Sequence, residues 1–180
     1  MATFEAALPV IHEHEGGKGK LPGDPGGETN FGVSSALCKS IGKPLPQTRE
    51  EADEIFREVF WSPLFNKIVN QTFATKLVDD CINQGIDEAV TILQESMCSV
   101  GSIVAVDGKF GTATLTGLNY IPETKLLNPW RQRQYRSYSD WIGKNPAERE
   151  GLRFGLARRA AWPSQDDSIA QLLIKHLPGS

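Results

Sequence analysis

Apolar residues recur at helical intervals along most of this chain. Near the start, Phe4, Leu8 and Ile11 lie four and three positions apart, and Glu15 follows four positions later. This spacing predicts a helix over residues 3–15 whose apolar stripe ends in a carboxyl group. Two glycines follow directly, and glycine readily takes the left-handed conformation that ends a helix.

Similar patterns predict further helices over most of the remaining chain. Ser34 caps one that runs to about Ile41, and Thr48 opens another, through a capping-box spacing to Glu51, that runs to about Phe60. Others are predicted over 71–83, 87–99, 123–143, 146–161 and 166–177, with one more beginning at Thr112. Residues 18–33 are too rich in Gly and Pro for a helix and predict a hairpin with TNFGV as a short strand. The predicted fold is mainly α with a small β-hairpin near the N-terminus.

The total of 180 residues suits one domain, or one domain with a small appendage, and the charge is unevenly distributed along the chain. The net charge is −3, but residues 1–120 hold 9 Lys and Arg against 16 Asp and Glu, whereas 121–162 hold 9 against 4. A basic region of this kind faces an anionic polymer or forms a solvated helix surface. Acidic residues interrupt the arginines of 125–159, and no nucleic-acid motif is present, so we expect no nucleic-acid partner.

Targeting and cysteine signals are weak. No apolar run approaches a membrane span, and the N-terminus lacks a basic segment followed by an apolar one. We therefore expect synthesis in the cytoplasm without a signal peptide and no membrane span.

Cys38, Cys81 and Cys98 lack CxxC spacing, and we expect them to be buried and reduced.

Candidate chemistry concentrates in residues 12–34, HEHEGGKGKLPGDPGGETNFGVS. A metal site at His12, His14 and Glu15 is disfavoured, because residues two apart on a helix point to nearly opposite sides. The histidines are then expected to be solvent-exposed bystanders, and neither a metal nor another cofactor is expected. A flexible linker is also disfavoured, because Asp24 begins a defined DPGG turn.

A pair of carboxyl groups is the third interpretation of this stretch. Burial on the apolar stripe and the negative end of the helix dipole both raise the pKa of Glu15, as a general acid requires. Asp24 lies in a turn that favours its ionised form, and two carboxyl groups with divergent pKa values are typical of glycoside hydrolysis. The alternative, in which Glu15 reaches solvent and Asp24 only orders its turn, stays equally open on these grounds.

The motifs HEGG at 14–17 and DPGGETNFGVS at 24–34 resemble those of glycoside hydrolase family 108, the N-acetylmuramidases related to phage-type lysozymes. The resemblance continues with FW at 60–61, INQG at 82–85 and VDGKFG at 106–111, and it covers roughly residues 3–160. It departs at Gly19 and Lys20, where family members often carry acidic residues, and beyond Pro163. The family implies an α+β lysozyme-like fold that cleaves the β-1,4 bond between N-acetylmuramic acid and N-acetylglucosamine.

The resemblance also implies roles for individual residues. Glu15 would be the catalytic acid, Asp24 would stabilise the transition state or activate water, and Thr29 would position that water. The expected substrate-binding residues are Asn30, Phe31, Trp61, Asn83 and Tyr135. Trp61 would form a sugar-stacking wall or pack in the core, and Asn83 would bind an acetamido group or end a helix. The nine-residue interval between Glu15 and Asp24 predicts a wide carboxyl separation, which is the spacing of inverting enzymes, but the stereochemical outcome stays open.

Two functions remain in competition. The first is a monomeric muramidase acting on bacterial peptidoglycan, either a phage endolysin or a secreted effector, which would reach the periplasm or cell wall by holin-type release or secretion. The second is a non-catalytic muramidase fold that binds walls or associates with itself. The expected organisation is a catalytic region at 1–105 followed by a helical peptidoglycan-binding-like subdomain at 106–180.

Overall fold

The computed structural model describes residues 1–15, 28–143, 153–164 and 168–171 of the chain. Within these ranges the protein is mainly helical and has one two-stranded antiparallel sheet. The predicted fold class, mainly α of the α+β lysozyme-like type, is confirmed. No described helix combines the length and the apolar character needed to cross a bilayer.

The N-terminal elements are a short helix and a hairpin. Helix α1 spans Leu8–His14 and begins later than residue 3, with a proline in its first turn, where the missing N–H is not needed. Strands β1 (Thr29–Asn30) and β2 (Val33–Ser34) pair antiparallel, with Thr29 opposite Ser34. This small hairpin returns the chain to the end of α1.

The next two helices begin at the predicted caps. Helix α2 spans Ser35–Ile41, and the Ser34 hydroxyl accepts a hydrogen bond from the Leu37 N–H. Helix α3 spans Arg49–Phe60, and the Thr48 hydroxyl accepts one from the Glu51 N–H. The Glu51 carboxylate accepts from the N–H of Gln47 at 2.6 Å. Each cap satisfies an N–H that a helix start leaves unpaired.

The remaining helices form the body of the molecule. Helix α4 (Gln71–Gln84) and helix α5 (Ile86–Ser99) are joined by Gly85, whose φ of +88° suits glycine. They are followed by α6 (Thr112–Tyr120), α7 (Glu123–Gly143) and α8 (Arg153–Ala161). Helix α5 packs on α4 and α7, and α8 packs on α7.

Buried apolar side chains form two clusters among the described residues. The main cluster runs from Ala2 to Trp130 and includes residues of every helix from α1 to α7. The second cluster consists of Tyr135, Tyr138, Ala157, Ala160, Ala161 and Ala170, and it holds α8 on the second half of α7. Cys38 and Cys81 are buried as expected, but Cys98 is exposed, which corrects the expectation for that residue.

Candidate active site

Glu15 lies at the end of α1, next to the turn of the β-hairpin. It is the first residue after the helix, and its N–H donates to the Ile11 carbonyl at 2.8 Å. Only 13% of its side chain is exposed, whereas Glu13 is exposed. The carboxyl therefore lies on the buried side of α1, as the helical spacing predicts.

The turn of the hairpin lies directly against the Glu15 side chain. Phe31 and Gly32 connect the two strands, and both have positive φ, of 51° and 85°, as in the type I′ turns that suit two-residue hairpins. A methyl group at position 32 would lie 2.5 Å from Glu15 Cβ and 2.7 Å from its Oε2. Glycine at this position therefore permits both the turn and the close approach of the carboxyl group.

An arginine from the opposite end of the chain contacts this carboxyl group. Arg159 of α8 donates through Nη2 to Glu15 Oε1 at 2.5 Å, and its own side chain is only 8% exposed. Its Nε lies 3.6 Å from Asp79 Oδ2 of α4. The guanidinium thus lies between two carboxyl groups, one from α1 and one from α4.

Asp79 also holds the residue next to Glu15. His14 donates from Nδ1 to Asp79 Oδ1 at 3.0 Å, and the His14 side chain is only 12% exposed. The two oxygens of one buried carboxylate therefore fix both His14 and Arg159. This arrangement holds the end of α1 and the guanidinium in fixed positions relative to each other.

The surroundings shift the pKa values of Glu15 and Asp79 in opposite directions. Burial raises the pKa of Glu15; Arg159 opposes this rise and Asp79 reinforces it. Burial also opposes ionisation of Asp79, but the charge of Arg159 and the hydrogen bond from His14 outweigh it and hold its pKa below the usual value. Burial likewise opposes the charge of Arg159, and the carboxylates of Asp79 and Glu15 more than compensate, so its pKa is raised. The cluster therefore contains one carboxyl group whose pKa is raised and one whose pKa is lowered.

A second buried network supports α4 behind this cluster. Lys76 Nζ lies 3.5 Å from Asp80 Oδ1, and both side chains are essentially inaccessible. The Trp130 indole N–H donates to Asp80 Oδ2 at 2.8 Å, and the Gln134 amide donates to Asp80 Oδ1 and, at 2.9 Å, to the Tyr138 hydroxyl. Burial raises the pKa of Asp80 to about 6 and lowers that of Lys76. The network connects α4 to α7 through polar contacts inside the core.

The hairpin residues expected at the site have different surroundings. Thr29 lies in β1 and is half-buried, whereas Asn30 is 7% exposed and donates its amide to the Pro46 carbonyl at 3.1 Å. Phe31 is half-buried at the turn, with the Arg49 guanidinium 5.2 Å from its ring centre. The amide of Asn30 thus fixes the hairpin to the loop before α3.

Two of the other expected substrate-binding residues, Trp61 and Tyr135, are buried. Trp61 is 9% exposed, packs edge-on against Phe4 and Phe65, and donates its indole N–H to Asn66. A stacking wall needs an exposed ring face, so this burial favours the alternative in which Trp61 packs in the core. Tyr135 is 3% exposed and belongs to the second cluster.

Asn83 and Asp24 complete the set of expected residues. Asn83 is exposed in the last turn of α4 and lines a groove described below. Asp24 lies outside the described residues, so its role and its separation from Glu15 remain predictions.

The histidines correct the expectation of exposed bystanders. Besides the His14–Asp79 contact, His12 Nε2 lies 2.8 Å from Asp53 Oδ1. Each histidine therefore binds a carboxylate on a different helix, α4 for His14 and α3 for His12. Within the described ranges, no three potential metal ligands come together.

Sequence reasoning missed Arg159, Asp79 and the contact made by Gly32. Arg159 is one of two adjacent arginines in a basic helix, and nothing in the pattern distinguishes the buried one. Asp79 and Asp80 are consecutive, and the only local signal is the spacing of four that allows Lys76 to pair with Asp80. The partners of Asp79 are distant in sequence and so give no local signal.

Comparison with known proteins agrees with this architecture. Residues 8–85 match the family model described as glycosyl hydrolase 108, and residues 88–161 match a predicted peptidoglycan domain. Among solved structures, Brucella abortus SagA is similar in fold, with a TM-score of 0.68, 24% identity and coverage of 94% of both chains. No curated protein gives a significant match. Residues 8–85 are therefore similar to the glycosyl hydrolase 108 family, and the segment that follows is similar to a predicted peptidoglycan domain.

Proposed function

We propose that this protein is a peptidoglycan hydrolase of the muramidase type, with Glu15 as its general acid. The observation that carries the proposal is a buried carboxyl group of raised pKa, held between the hairpin turn and Arg159 at the end of α1. Such a group retains its proton at a pH where an exposed glutamate has lost it. The match of residues 8–85 to a glycoside hydrolase family supports this role, because glycoside hydrolysis needs an acid that protonates the leaving oxygen.

In the proposed reaction Glu15 protonates the oxygen of the β-1,4 bond between N-acetylmuramic acid and N-acetylglucosamine. The bond between that oxygen and the anomeric carbon breaks, and positive charge develops on the sugar ring. Water then attacks the anomeric carbon and gives its proton to Asp24 if Asp24 activates it, or otherwise to the Glu15 carboxylate formed in the first step. Asp24 would stabilise the charge or activate the water, and Thr29 would position the water.

Arg159 and Asp79 have supporting roles in this proposal. Once Glu15 has given up its proton, the guanidinium at 2.5 Å stabilises the new carboxylate. Asp79 keeps the guanidinium in place and, through its negative charge, keeps the pKa of Glu15 high. We class both as positioning residues because they act through Glu15.

One observation favours the second candidate, a non-catalytic muramidase fold that binds walls or associates with itself. Arg159 already occupies Glu15 Oε1, and an ion pair favours the charged form of the acid. The raised pKa of Glu15 and its location in the hydrolase region support the enzyme over this alternative.

The test is hydrolysis of purified peptidoglycan and lysis of outer-membrane-permeabilised cells by wild type, Glu15→Gln and Glu13→Gln. Glu13 is exposed two positions away, so the control removes a carboxyl group from the same segment. We expect hydrolysis by wild type and Glu13→Gln and a loss of roughly 10³-fold or more for Glu15→Gln, in the range that general acid catalysis contributes. A wild type that binds walls without cleaving them would support the non-catalytic candidate, and an active Glu15→Gln would exclude Glu15 as the acid.

The setting of the reaction belongs to the same proposal. The enzyme acts as a monomer in the periplasm or cell wall, after holin-type release or secretion. The division into a catalytic region at 1–105 and a helical subdomain at 106–180 remains part of this proposal. Arg159, in the second part, contacts Glu15 in the first, so we expect the two parts to work as one unit.

A further inference from the structure

A groove of about 1360 Å³ runs between α5 and α7, and we call it the α5–α7 groove. The end of α4 closes one part of it with Asn83 and Gln84, and Leu156 of α8 lies at another. Glu15 is not among its lining residues. The groove is therefore a separate surface from the site around Glu15.

Three helices, α4, α7 and α8, nevertheless contribute residues both to the α5–α7 groove and to the cluster around Glu15. On α4, Asn83 of the groove lies one turn after Asp79 of the Glu15 site, and on α8, Leu156 lies one turn before Arg159. On α7, Tyr138 lines the groove and interacts electrostatically with Arg159. The groove thus adjoins the Glu15 cluster, so one polymer chain is able to contact both.

The lining of the groove carries both signs of charge. Glu88 and Glu95 of α5 face α7, where Ser137 donates to Glu88 at 2.9 Å and Arg133 Nε lies 3.6 Å from Glu95. These contacts bridge the two helices and fix the width of the groove. Of the side chains that remain, Arg136 and Asp140 are exposed and form no ion pair with any residue in the described part of the chain.

We propose that the α5–α7 groove binds the peptide stem of peptidoglycan, a short peptide that carries carboxylates and a free amine. Arg136 would bind a carboxylate and Asp140 the amine. The two side chains are one helical turn apart, about 5–6 Å, which an extended peptide spans in roughly two residues. Trp141 is 45% exposed and lies beside them in the lining of the groove.

The charges favour the peptide over the glycan as the occupant. The repeating sugars of the glycan are neutral once the lactyl group is joined to the peptide, so they have no use for an arginine and an aspartate at this separation. The groove lies within residues 83–156, almost all of which fall in the predicted peptidoglycan domain. The inference rests on the proposed function only in taking peptidoglycan as the substrate.

The test is calorimetric binding of a synthetic stem tripeptide that ends in a diamino acid and carries no sugar. Wild type is compared with Arg136→Gln and Asp140→Asn, and Lys125→Gln is the matched control because Lys125 is exposed on the same helix outside the groove. We expect Kd to rise about tenfold or more for each groove variant, since each loses a charge-assisted hydrogen bond, and to be unchanged for the control. Binding of an N-acetylglucosamine tetramer should be the same in all four proteins.

Hydrolysis separates this inference from the proposed function. Arg136→Gln should cleave intact peptidoglycan more slowly than wild type but cleave peptide-free glycan strands at the wild-type rate. Glu15→Gln should bind the tripeptide normally and cleave neither substrate. The inference is overturned if wild type does not bind the tripeptide at millimolar concentration or if Arg136→Gln and Asp140→Asn bind it as tightly as wild type; an active Glu15→Gln overturns the proposed function alone.

Discussion

Glu15 is held in a position where its ionisation is balanced by opposing neighbours. Burial and the Asp79 carboxylate raise its pKa, and the Arg159 guanidinium lowers it. A general acid works best when its pKa lies near the working pH, and the charge of Arg159 keeps the pKa of Glu15 from rising as far as burial and Asp79 would drive it. The activity of the protein should therefore respond to Arg159 through pH.

Replacing Arg159 by Met should move the alkaline limb of the pH–rate profile to higher pH. The sign follows because the arginine charge lowers the pKa of Glu15, so its loss lets the acid keep its proton to a higher pH. The maximal rate should fall, because the Glu15 carboxylate formed in the reaction loses its partner. The free energy of unfolding should fall by about 3–5 kcal/mol, because Asp79 is left buried without its cationic partner.

Arg159→Lys and Arg158→Met are the controls for this profile. Lysine keeps the positive charge, so the alkaline limb should stay close to that of wild type, and Arg158 is the exposed neighbour on the same helix. The electrostatic account of Glu15 would be wrong if Arg159→Met left the limb unmoved or moved it to lower pH.

At the scale of the elements, the β-hairpin determines how closely the chain approaches Glu15. Its turn brings two residues of positive φ together, and one of them, Phe31, is not glycine. A non-glycine residue in this region costs of order 1–3 kcal/mol, which the surrounding contacts offset. The packing of Phe31 against the core is one such contact.

Substitution of Gly32 by Ala should reduce hydrolysis about tenfold or more and the free energy of unfolding by roughly 1–3 kcal/mol. The new methyl group would meet Glu15 Cβ and Oε2 and displace the carboxyl group. Gly42→Ala is the matched control, because Gly42 also has a positive φ, of 69°, but has no atoms within 4 Å of such a methyl group. Denaturant unfolding and peptidoglycan hydrolysis are measured on both variants. Equal residual activity in the two would contradict the role given to the Gly32 contact.

At the scale of the whole molecule, α8 brings Arg159 back to a residue 144 positions earlier. The polar network around Asp80 joins α4 to α7, and α7 carries α8 through the second apolar cluster. The position of the guanidinium therefore depends on the packing of most of the helical body. The ion pair of Lys76 and Asp80 is part of this network. Its ionisation should therefore be measurable in the pH dependence of the free energy of unfolding.

The Asp80→Asn variant should remove a decline in stability between about pH 4 and pH 6. Asp80 has a folded-state pKa of about 6, against 3.8 for an unperturbed aspartate, so in this window the folded protein holds more protons than the unfolded one. Stability from this group is thus complete below about pH 4 and decreases as pH rises towards about 6, by roughly 1–3 kcal/mol. Urea unfolding at several pH values across this window measures the slope for wild type and variant. Identical slopes in the two proteins would contradict the raised pKa of Asp80.

Local signals in the sequence were sufficient for the helices of the described ranges and for the burial of Glu15, whereas residues 146–152 and 172–177 of the predicted helices lie outside the described residues. Ser34 and Thr48 cap the helices they were expected to cap, and the intervals from Phe4 to Glu15 place the carboxyl on the buried side of α1. The start of α1 was predicted too early, because turns replace the helix before Leu8 although the apolar spacing continues through them.

Contacts between distant residues were not predictable in the same way. The spacing of His12 and His14 argued against a shared ion, but it gave no information on Asp53 and Asp79, which lie on other helices. Arg159 was equally hidden, because a buried arginine in a basic amphipathic helix has the same local pattern as an exposed one. Its partners become apparent only when α8 packs on α7.

The most direct test of the central claim identifies the new ends formed by the wild-type protein acting on purified peptidoglycan. The products are reduced with borohydride and analysed by mass spectrometry, with Glu15→Gln as the matched protein. A muramidase that uses Glu15 leaves N-acetylmuramic acid at the new reducing ends, so reduced muramic acid should accumulate with wild type and be absent with Glu15→Gln. Reduced N-acetylglucosamine at the new ends, no new ends from wild type, or equal accumulation with Glu15→Gln would contradict the account.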